Sequence, residues 1–184
     1  MGLSLESMAI VMPTVHGHPN RAGFRGVLTI VDVASDKSPS GARGHRVLLT
    51  RRAAEAAIPS LMGMGLDYSP ALDRHDAQRK IGVITRAEIV GRMIEVGGFI
   101  YARDFPEIVE EIGRPGGTGT SVSAGAARNV RGNRAGLGMS YEITDALVED
   151  IKASVWVLNR VTFTGAAVLR RDKAAYCSTW IELG

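Results

Sequence analysis

The chain has 184 residues, of which 45% are hydrophobic and 22% are charged. This length suits one compact domain, and this composition is that of a soluble globular protein, which excludes disorder of the whole chain. The formal charge of +3 is too small to indicate a nucleic-acid partner. No apolar stretch is long enough to span a membrane, so we expect a soluble, intracellular protein with no membrane partner.

The N-terminal part of the chain contains strand signals followed by one helix signal. β-Branched residues dominate 24–34 and a turn-forming cluster follows, which predicts a strand that ends in a loop. Residues 45–49, HRVLL, predict a second, short strand. Thr50 is a good N-cap for an alanine-rich helix in 51–65, which Pro59 and the glycines end.

The middle of the chain is rich in isoleucine, valine and glycine. Residues 81–102 predict two or three strands, with Gly91 and the glycine pair at 97–98 as bends or bulges. Residues 103–113 predict a short helix with Asp104 as its N-cap. Strands therefore follow one another without a regular helix between them.

The C-terminal part begins with a glycine-rich segment and continues as strands. Residues 114–136 predict a long flexible loop. Strand signals occupy 137–148, 152–169 and 178–183. The whole pattern predicts an α+β fold, mainly an antiparallel β-sheet or barrel with a few peripheral helices. We expect a single domain over 1–184, with an N-terminal arm at 1–23 and a core at 24–184.

Cysteine and histidine are scarce. The only cysteine, Cys177, cannot form an internal disulfide and favours a reducing compartment. It lies in a strand-like stretch with no histidine near it in sequence, so a core or edge position is a better interpretation than a nucleophile. His16 and His18, in the motif HGH, lack the cysteine or carboxylate partners of a zinc site, so we expect no metal there.

A serine is a poor nucleophile unless a base takes its proton, so the histidines decide which serines are candidates. His75 is flanked by acids and precedes the strand signal IGVIT. Ser140 lies in LGMSYEI, a stretch of β-forming residues. Ser121 and Ser123 are rivals in the glycine-rich loop, but neither has the Gly-x-Ser-x-Gly spacing of a nucleophile elbow.

The order of these motifs resembles a known family. HDAQRKIGVIT, then LGMSYEI, then LNRVTFTGAAVLRRDKAAY is similar to the pattern of the tailed-phage prohead proteases, the serine proteases of capsid maturation, which are distantly similar to the herpesvirus assemblins. The resemblance covers roughly residues 24–184, and the separation between His75 and Ser140 is similar to that of the family. It implies an assemblin-like fold, with Ser140 as the nucleophile and His75 as the general base.

The third catalytic residue departs from the family pattern. The family carries an acid or a second histidine on the strand after the serine, whereas LNRVTFTG has Arg160 and no acid. The acids available elsewhere in the sequence are Asp73, Asp76, Glu142, Asp145, Glu149 and Asp150. Glu142 is one candidate because a residue two positions from Ser140 on a strand points to the same face. The sequence does not distinguish among these acids, and a Ser–His dyad without an orienting acid is a further alternative.

The tandem arginines Arg170 and Arg171 resemble in position the arginines that assist the oxyanion in assemblins. The resemblance therefore implies oxyanion support from this pair. The alternative for these two residues is a turn with two solvated arginines.

The resemblance implies a serine endopeptidase that cleaves scaffold protein, major capsid protein or both. It implies action inside the viral procapsid in the host cytoplasm, no cofactor, and a homodimer or higher oligomer. The alternative is an inactive virion assembly or structural protein that keeps the protease fold, which Arg160 favours. A nucleic-acid-binding role for the loop ARNVRGNRAG is a weaker hypothesis, because aromatic residues for base stacking are only 5% of the chain.

Overall fold

Strands dominate the fold of the computed structural model, which describes residues 7–114 and 136–184. The strands are β1 Ser7–Ala9, β2 Ala22–Ile30, β3 Arg46–Leu49, β4 Gly65–Asp67, β5 Lys80–Val90, β6 Met93–Ile100, β7 Leu137–Val148, β8 Val155–Arg170 and β9 Trp180–Leu183. The α-helices of the described residues are α1 Arg51–Ala57 and α2 Pro106–Gly113. The flexible loop expected at 114–136, with Ser121 and Ser123, lies outside the described residues except for its two end residues.

The strands form one sheet that curls into a half-barrel. The strand order is β3-β8-β4-β5-β6-β2-β9, with β1 added to β5 and β7 added to β8. Among the described strands, six of the eight pairings are antiparallel, and the two parallel ones join β8 to β3 and β4. The expectation of a mainly antiparallel sheet with a few helices is therefore confirmed.

The longest strand, β8, has partner strands along both of its edges. Along one edge it pairs first with β3 and then with β4. Along the other edge it pairs with β7 in an antiparallel register. Strands that are far apart in sequence therefore lie on either side of β8.

The helix predicted after Thr50 is confirmed. The Thr50 hydroxyl accepts a hydrogen bond from the N–H of Ala53 at 3.2 Å, which is the contact expected of an N-cap. The α-helix ends at Ala57 and continues as a 3₁₀ turn over Ile58–Leu61, which contains the proline. Alanines of α1 are buried in the core.

The N-cap predicted for α2 is wrong. The residue before the helix is Phe105, and it makes no side-chain capping bond. The carboxylate of Asp104 instead accepts a hydrogen bond from the side chain of Asn20 at 2.9 Å. A cap is less necessary here because Pro106 at the first helical position has no N–H to satisfy.

The glycine pair at 97–98 lies inside β6 and does not interrupt it. A methyl group on Gly98 would overlap the carbonyl oxygen of Val83, so glycine permits the close approach of two strands. The bulge occurs on the opposite strand, where the register of β5 shifts between Ile84 and Arg86. The break between strands predicted at Gly91 is confirmed as the turn between β5 and β6, and this residue has a φ of +61°, in the left-handed region.

The core is a single cluster of buried side chains from both helices and most strands. Its largest fully buried members include Leu28, Leu49, Ile58, Leu61, Leu66, Ile81, Ile84, Ile94, Ile100, Ile108, Met139 and Phe163. In the described part of the chain, no helix combines the length and the apolarity that a membrane crossing requires. Among the described residues, Asp67 has a charged side chain that is completely buried.

We expect Gly98→Ala to destabilise the protein by about 2–3 kcal/mol, because the added methyl forces β5 and β6 apart. Gly97→Ala is the matched control, since a Cβ there would lie 3.3 Å from its nearest neighbour, the carbonyl oxygen of Phe24. The control should cost less than about 1 kcal/mol. Urea unfolding of both variants measures the difference, and equal losses would contradict this account of β6.

Candidate active site

Ser140 and His75 meet at the edge of the sheet. Ser140 lies on β7, and His75 lies in the 68–79 loop that joins β4 to β5. The Nε2 atom of His75 is 3.0 Å from the Oγ atom of Ser140, although 65 residues separate them in sequence. This is the distance required for a histidine to accept the proton of an attacking serine hydroxyl.

The sheet register explains how these residues come together. Ala167 of β8 pairs with Asp67 of β4 on one side and with Ser140 of β7 on the other. Directly paired residues present their side chains on the same face of a sheet. Because neighbouring strands are about 4.8 Å apart, the Asp67 and Ser140 backbones are separated by roughly 10 Å. The imidazole of His75 lies between them.

Hydrogen bonds within the 68–79 loop hold His75 in place. The N–H of Asp76 donates to the Asp67 carboxylate at 3.0 Å. The Ser69 hydroxyl donates to the Asp73 carboxylate at 2.9 Å and accepts from the Asp73 N–H at 3.2 Å. The loop is thus fastened on both sides of His75, which restricts the position of its ring.

Two carboxylates face the other ring nitrogen of His75. Its Nδ1 atom is 3.2 Å from Glu142 Oε1 and 3.9 Å from Asp67 Oδ1. Nδ1 is buried and forms no well-aligned hydrogen bond with either acid, because Asp67 Oδ1 is too distant and Glu142 Oε1 lies out of line with the N–H direction. The carboxylates therefore act on His75 mainly through their charge, and they favour the tautomer that carries its proton on Nδ1.

Among the six acids that the sequence left open, Glu142 alone places its carboxylate within 4.0 Å of His75. Four of the others are engaged elsewhere: Asp73 with Ser69, Asp76 with Arg79 and Gln78, Glu149 with Asn159, and Asp150 with the N–H of Lys152. Asp145 is exposed. The structure thus brings Ser140, His75 and Glu142 together, with Ser140 Oγ beside Nε2 of His75 and Glu142 Oε1 beside Nδ1.

Sequence reasoning missed Asp67 and Lys80. The Lys80 ammonium lies 3.0 Å from Asp67 Oδ2 and 3.7 Å from Glu142 Oε2, so it bridges the two acids. Burial by itself would raise the pKa of Asp67, but His75, the Asp76 N–H and Lys80 together outweigh it and hold this pKa below its ordinary value. In the sequence, the only indication was that one apolar strand, GLD, ends in an acid and that another, KIGVIT, begins with a lysine. The pairing of β4 with β5 brings these two charged residues together.

Glycines make room for this polar cluster. Gly165 of β8 pairs with Glu142, and a Cβ on Gly165 would lie 2.7 Å from Glu142 Oε2. A Cβ on Gly65 would lie 2.7 Å from the side chain of Lys80. The segment LNRVTFTG therefore supplies space for the acid, whereas the family pattern has the acid itself there. Arg160, in the same segment, is exposed.

The cluster also has a composition that suits a cation. Ligand atoms of Asp67, His75 and Glu142 all lie within 4.8 Å of one another. The Lys80 ammonium already contacts both carboxylates, and it supplies the positive charge that a metal would bring.

In the HGH motif, His18 Nδ1 accepts a hydrogen bond from the N–H of Asn20 at 3.1 Å.

The predicted arginine pair lies at the end of β8, where Arg170 is the last residue of the strand and Arg171 begins the turn that follows. The Arg170 guanidinium forms an ion pair with Asp172 at 2.9 Å. Arg171 donates its backbone N–H to the carbonyl of Gly136 at 2.8 Å and its side chain to the carbonyl of Leu137 at 3.3 Å, which braces the start of β7. Neither arginine lines the cavity beside Ser140. Oxyanion support from the pair stays a prediction.

Cys177 is exposed and does not adjoin Ser140 and His75 in the cavity lining. Its thiol contacts the Asp36 carboxylate at 2.9 Å. This hydrogen bond raises the pKa of the Cys177 thiol, which lowers the thiolate fraction that a nucleophile needs.

The Ser140–His75 pair opens into a cavity of about 490 Å³. Glu142 also lines this cavity, so the polar cluster is accessible to a substrate. A serine with a histidine in contact, a nearby carboxylate and an adjoining cavity supplies a nucleophile, a base and space for a substrate, which are three of the parts that acyl transfer requires. Comparisons of the chain with protein-family models, with curated proteins and with solved structures found no match.

Replacing the buried acid by Asp67→Asn should lower the free energy of unfolding at neutral pH by about 1–3 kcal/mol. Asparagine keeps an oxygen for the Asp76 N–H but lacks the charge that faces Lys80 and His75. Because the pKa of Asp67 is lowered in the folded state, its contribution is present above the unfolded value of about 3.9 and is lost as pH falls through the folded value. The difference between wild type and variant should therefore shrink below about pH 4.

Urea unfolding at several values between about pH 3 and pH 7 measures this difference. Asp145→Asn, at an exposed position of β7, is the control and should change the free energy by less than about 0.5 kcal/mol. A penalty for Asp67→Asn that stays constant across this range would show that the Asp67 charge does not stabilise the fold.

Proposed function

We propose that the protein is a serine endopeptidase of phage capsid maturation, which cleaves scaffold protein, major capsid protein or both inside the procapsid. The 3.0 Å contact between Ser140 Oγ and His75 Nε2 is the observation that supports the chemistry. The resemblance to the prohead proteases supports the substrates, the location in the host cytoplasm and a homodimer or higher oligomer. The assemblin-like form of the fold belongs to the same proposal.

In the first half of the reaction, Ser140 Oγ attacks the carbonyl carbon of the scissile peptide bond. His75 Nε2 takes the hydroxyl proton as the new C–O bond forms, and the carbonyl oxygen becomes an oxyanion. The imidazolium then donates this proton to the departing amine as the C–N bond breaks. The product of this half-reaction is an acyl-enzyme on Ser140 and a free amino terminus.

In the second half, water attacks the acyl carbon while His75 Nε2 takes one of its protons. The bond to Ser140 Oγ then breaks, and His75 returns the proton to the serine. The peptide leaves with a new carboxyl terminus. Ser140 and His75 return to their starting protonation states, and the net reaction is the hydrolysis of one peptide bond by one water molecule.

The charges around His75 suit this proton transfer. Asp67 and Glu142 carry two negative charges and Lys80 carries one positive charge, which leaves a net charge of −1 beside a neutral imidazole. When His75 accepts the serine proton, the cluster becomes neutral. The imidazolium is therefore stabilised at the moment when it forms.

A fluorophosphonate probe tests the activated serine directly. Ser140→Ala and His75→Ala should abolish labelling of the folded protein, because the first lacks the nucleophile and the second lacks its base. Glu142→Gln should slow labelling by about 10²- to 10⁴-fold. Ser38→Ala, which removes another serine that lines the same cavity, is the matched control and should label at the wild-type rate.

The site of modification is read by mass spectrometry of the labelled protein, and circular dichroism checks that each variant is folded. Labelling that persists in folded Ser140→Ala would contradict the assignment of the nucleophile. Labelling of Glu142→Gln at the wild-type rate would remove Glu142 from the catalytic set.

Co-expression with the capsid and scaffold proteins tests the substrates. Wild-type protein should produce fragments of one or both partners, and Ser140→Ala and His75→Ala should leave them intact, as measured by intact mass. Ser38→Ala should cleave like wild type. If wild type leaves both partners uncut while shells still assemble, the inactive assembly protein takes the place of the protease.

A further inference from the structure

The cavity beside Ser140 has two chemically different parts. One part holds the polar cluster of Ser140, His75 and Glu142. The other part is an apolar wall that β3, β7 and β8 supply together. The wall residues are Val47, Ile143, Val148, Trp156 and Leu158.

The wall is apolar surface that remains partly open. Ile143, Val148 and Trp156 pack against the core but are only half-buried, so each retains exposed apolar surface toward its surroundings. The Trp156 ring is held in place, because it stacks on His45 at a centroid distance of 4.6 Å and donates its indole N–H to the carbonyl of Ile151 at 3.1 Å. A wall of this kind is already formed before a ligand arrives.

The cavity is lined by three further charged residues besides Glu142. Asp73, Arg74 and Lys173 also line it, and all three are exposed. Exposed charges are well solvated and contribute little binding energy. The apolar wall is therefore the part of the cavity that contributes most binding free energy when a ligand covers it.

We infer that this wall is the subsite for a large apolar side chain, aliphatic or aromatic, next to the bond that Ser140 attacks. The inference rests on the proposed function, because it gives the substrate class of the same site. A cavity of about 490 Å³ lies within the range of roughly 300–1,000 Å³ that ligand sites occupy. Filling it removes apolar surface of both partners from water, which favours substrates with large apolar residues by about 10- to 100-fold in kcat/KM.

Ala146 provides a way to reduce the subsite without touching the catalytic residues. It is an exposed residue of β7 that lines the cavity. Its neighbour Leu147 is also exposed but does not line the cavity. Ala146→Phe therefore places a bulky ring at the cavity, whereas Leu147→Phe adds a ring of the same kind one residue away.

The experiment compares three p-nitrophenyl esters with wild type, Ala146→Phe and Leu147→Phe. The acyl groups are acetyl, hexanoyl and adipoyl, and the last has the same chain length as hexanoyl but ends in a carboxylate. Hydrolysis by Ser140→Ala is subtracted as background. Wild type should prefer hexanoyl over acetyl by about 10- to 100-fold in kcat/KM, and adipoyl should be poorer than hexanoyl.

Ala146→Phe should reduce the hexanoyl-to-acetyl ratio by about 10-fold or more, and Leu147→Phe should keep the wild-type ratio. Equal use of acetyl and hexanoyl, or a preference for adipoyl through Arg74 and Lys173, would overturn the apolar subsite while Ser140-dependent hydrolysis still supports the protease. Absence of both Ser140-dependent hydrolysis and fluorophosphonate labelling would overturn the proposed function, and this inference with it.

Discussion

The completely buried carboxylate of Asp67 is the interaction on which the rest of the site depends. A buried charge costs several kcal/mol unless hydrogen bonds and an opposite charge compensate for it. The N–H of Asp76 and the ammonium of Lys80 provide that compensation, each at 3.0 Å. Because Asp76 follows His75 directly, the hydrogen bond that satisfies Asp67 also positions the residue proposed as the base. Stability and the geometry of the site thus have a common source.

The small residues of β8 are the second constraint. Ala167 lies between Asp67 and Ser140 in the sheet, and Gly165 leaves space for the Glu142 carboxylate. Large side chains here would separate the acids from His75. The resemblance implies that β8 carries the acid. In this structure β8 instead leaves space for Glu142, an acid of the neighbouring strand β7. Orientation of a histidine depends on where a carboxylate lies and not on which strand carries it.

Chemistry and substrate rest on different observations. The pairing of Ser140 with His75, the two carboxylates and the cavity supports acyl transfer, whatever peptide is bound. The proposal that capsid and scaffold proteins are the substrates is supported by the resemblance in the order of short motifs, since fold and geometry do not by themselves identify a substrate. The apolar wall connects the two, because it restricts the class of side chain that can lie next to the attacked bond.

The sequence by itself determined the local features of this protein. Stretches rich in β-branched residues placed the long strands, Thr50 and Pro59 bounded α1, and the resemblance in motif order implied the pair of His75 and Ser140. The two-residue spacing also made Glu142 a candidate, because side-chain alternation along a strand is a local property. The N-cap of α2 was predicted wrongly, since Asp104 binds Asn20, a residue distant in sequence.

Only the tertiary structure decided which two acids face His75 and which cation balances their charge. Asp67 and Lys80 become neighbours through the pairing of β4 with β5, and Asp67 approaches Ser140 through the pairing of both β4 and β7 with β8. Neither register can be deduced from local patterns, because strand pairing depends on contacts between distant segments. The position of Arg170 and Arg171 outside the cavity lining likewise follows from the course of the turn after β8 and not from their place in the sequence.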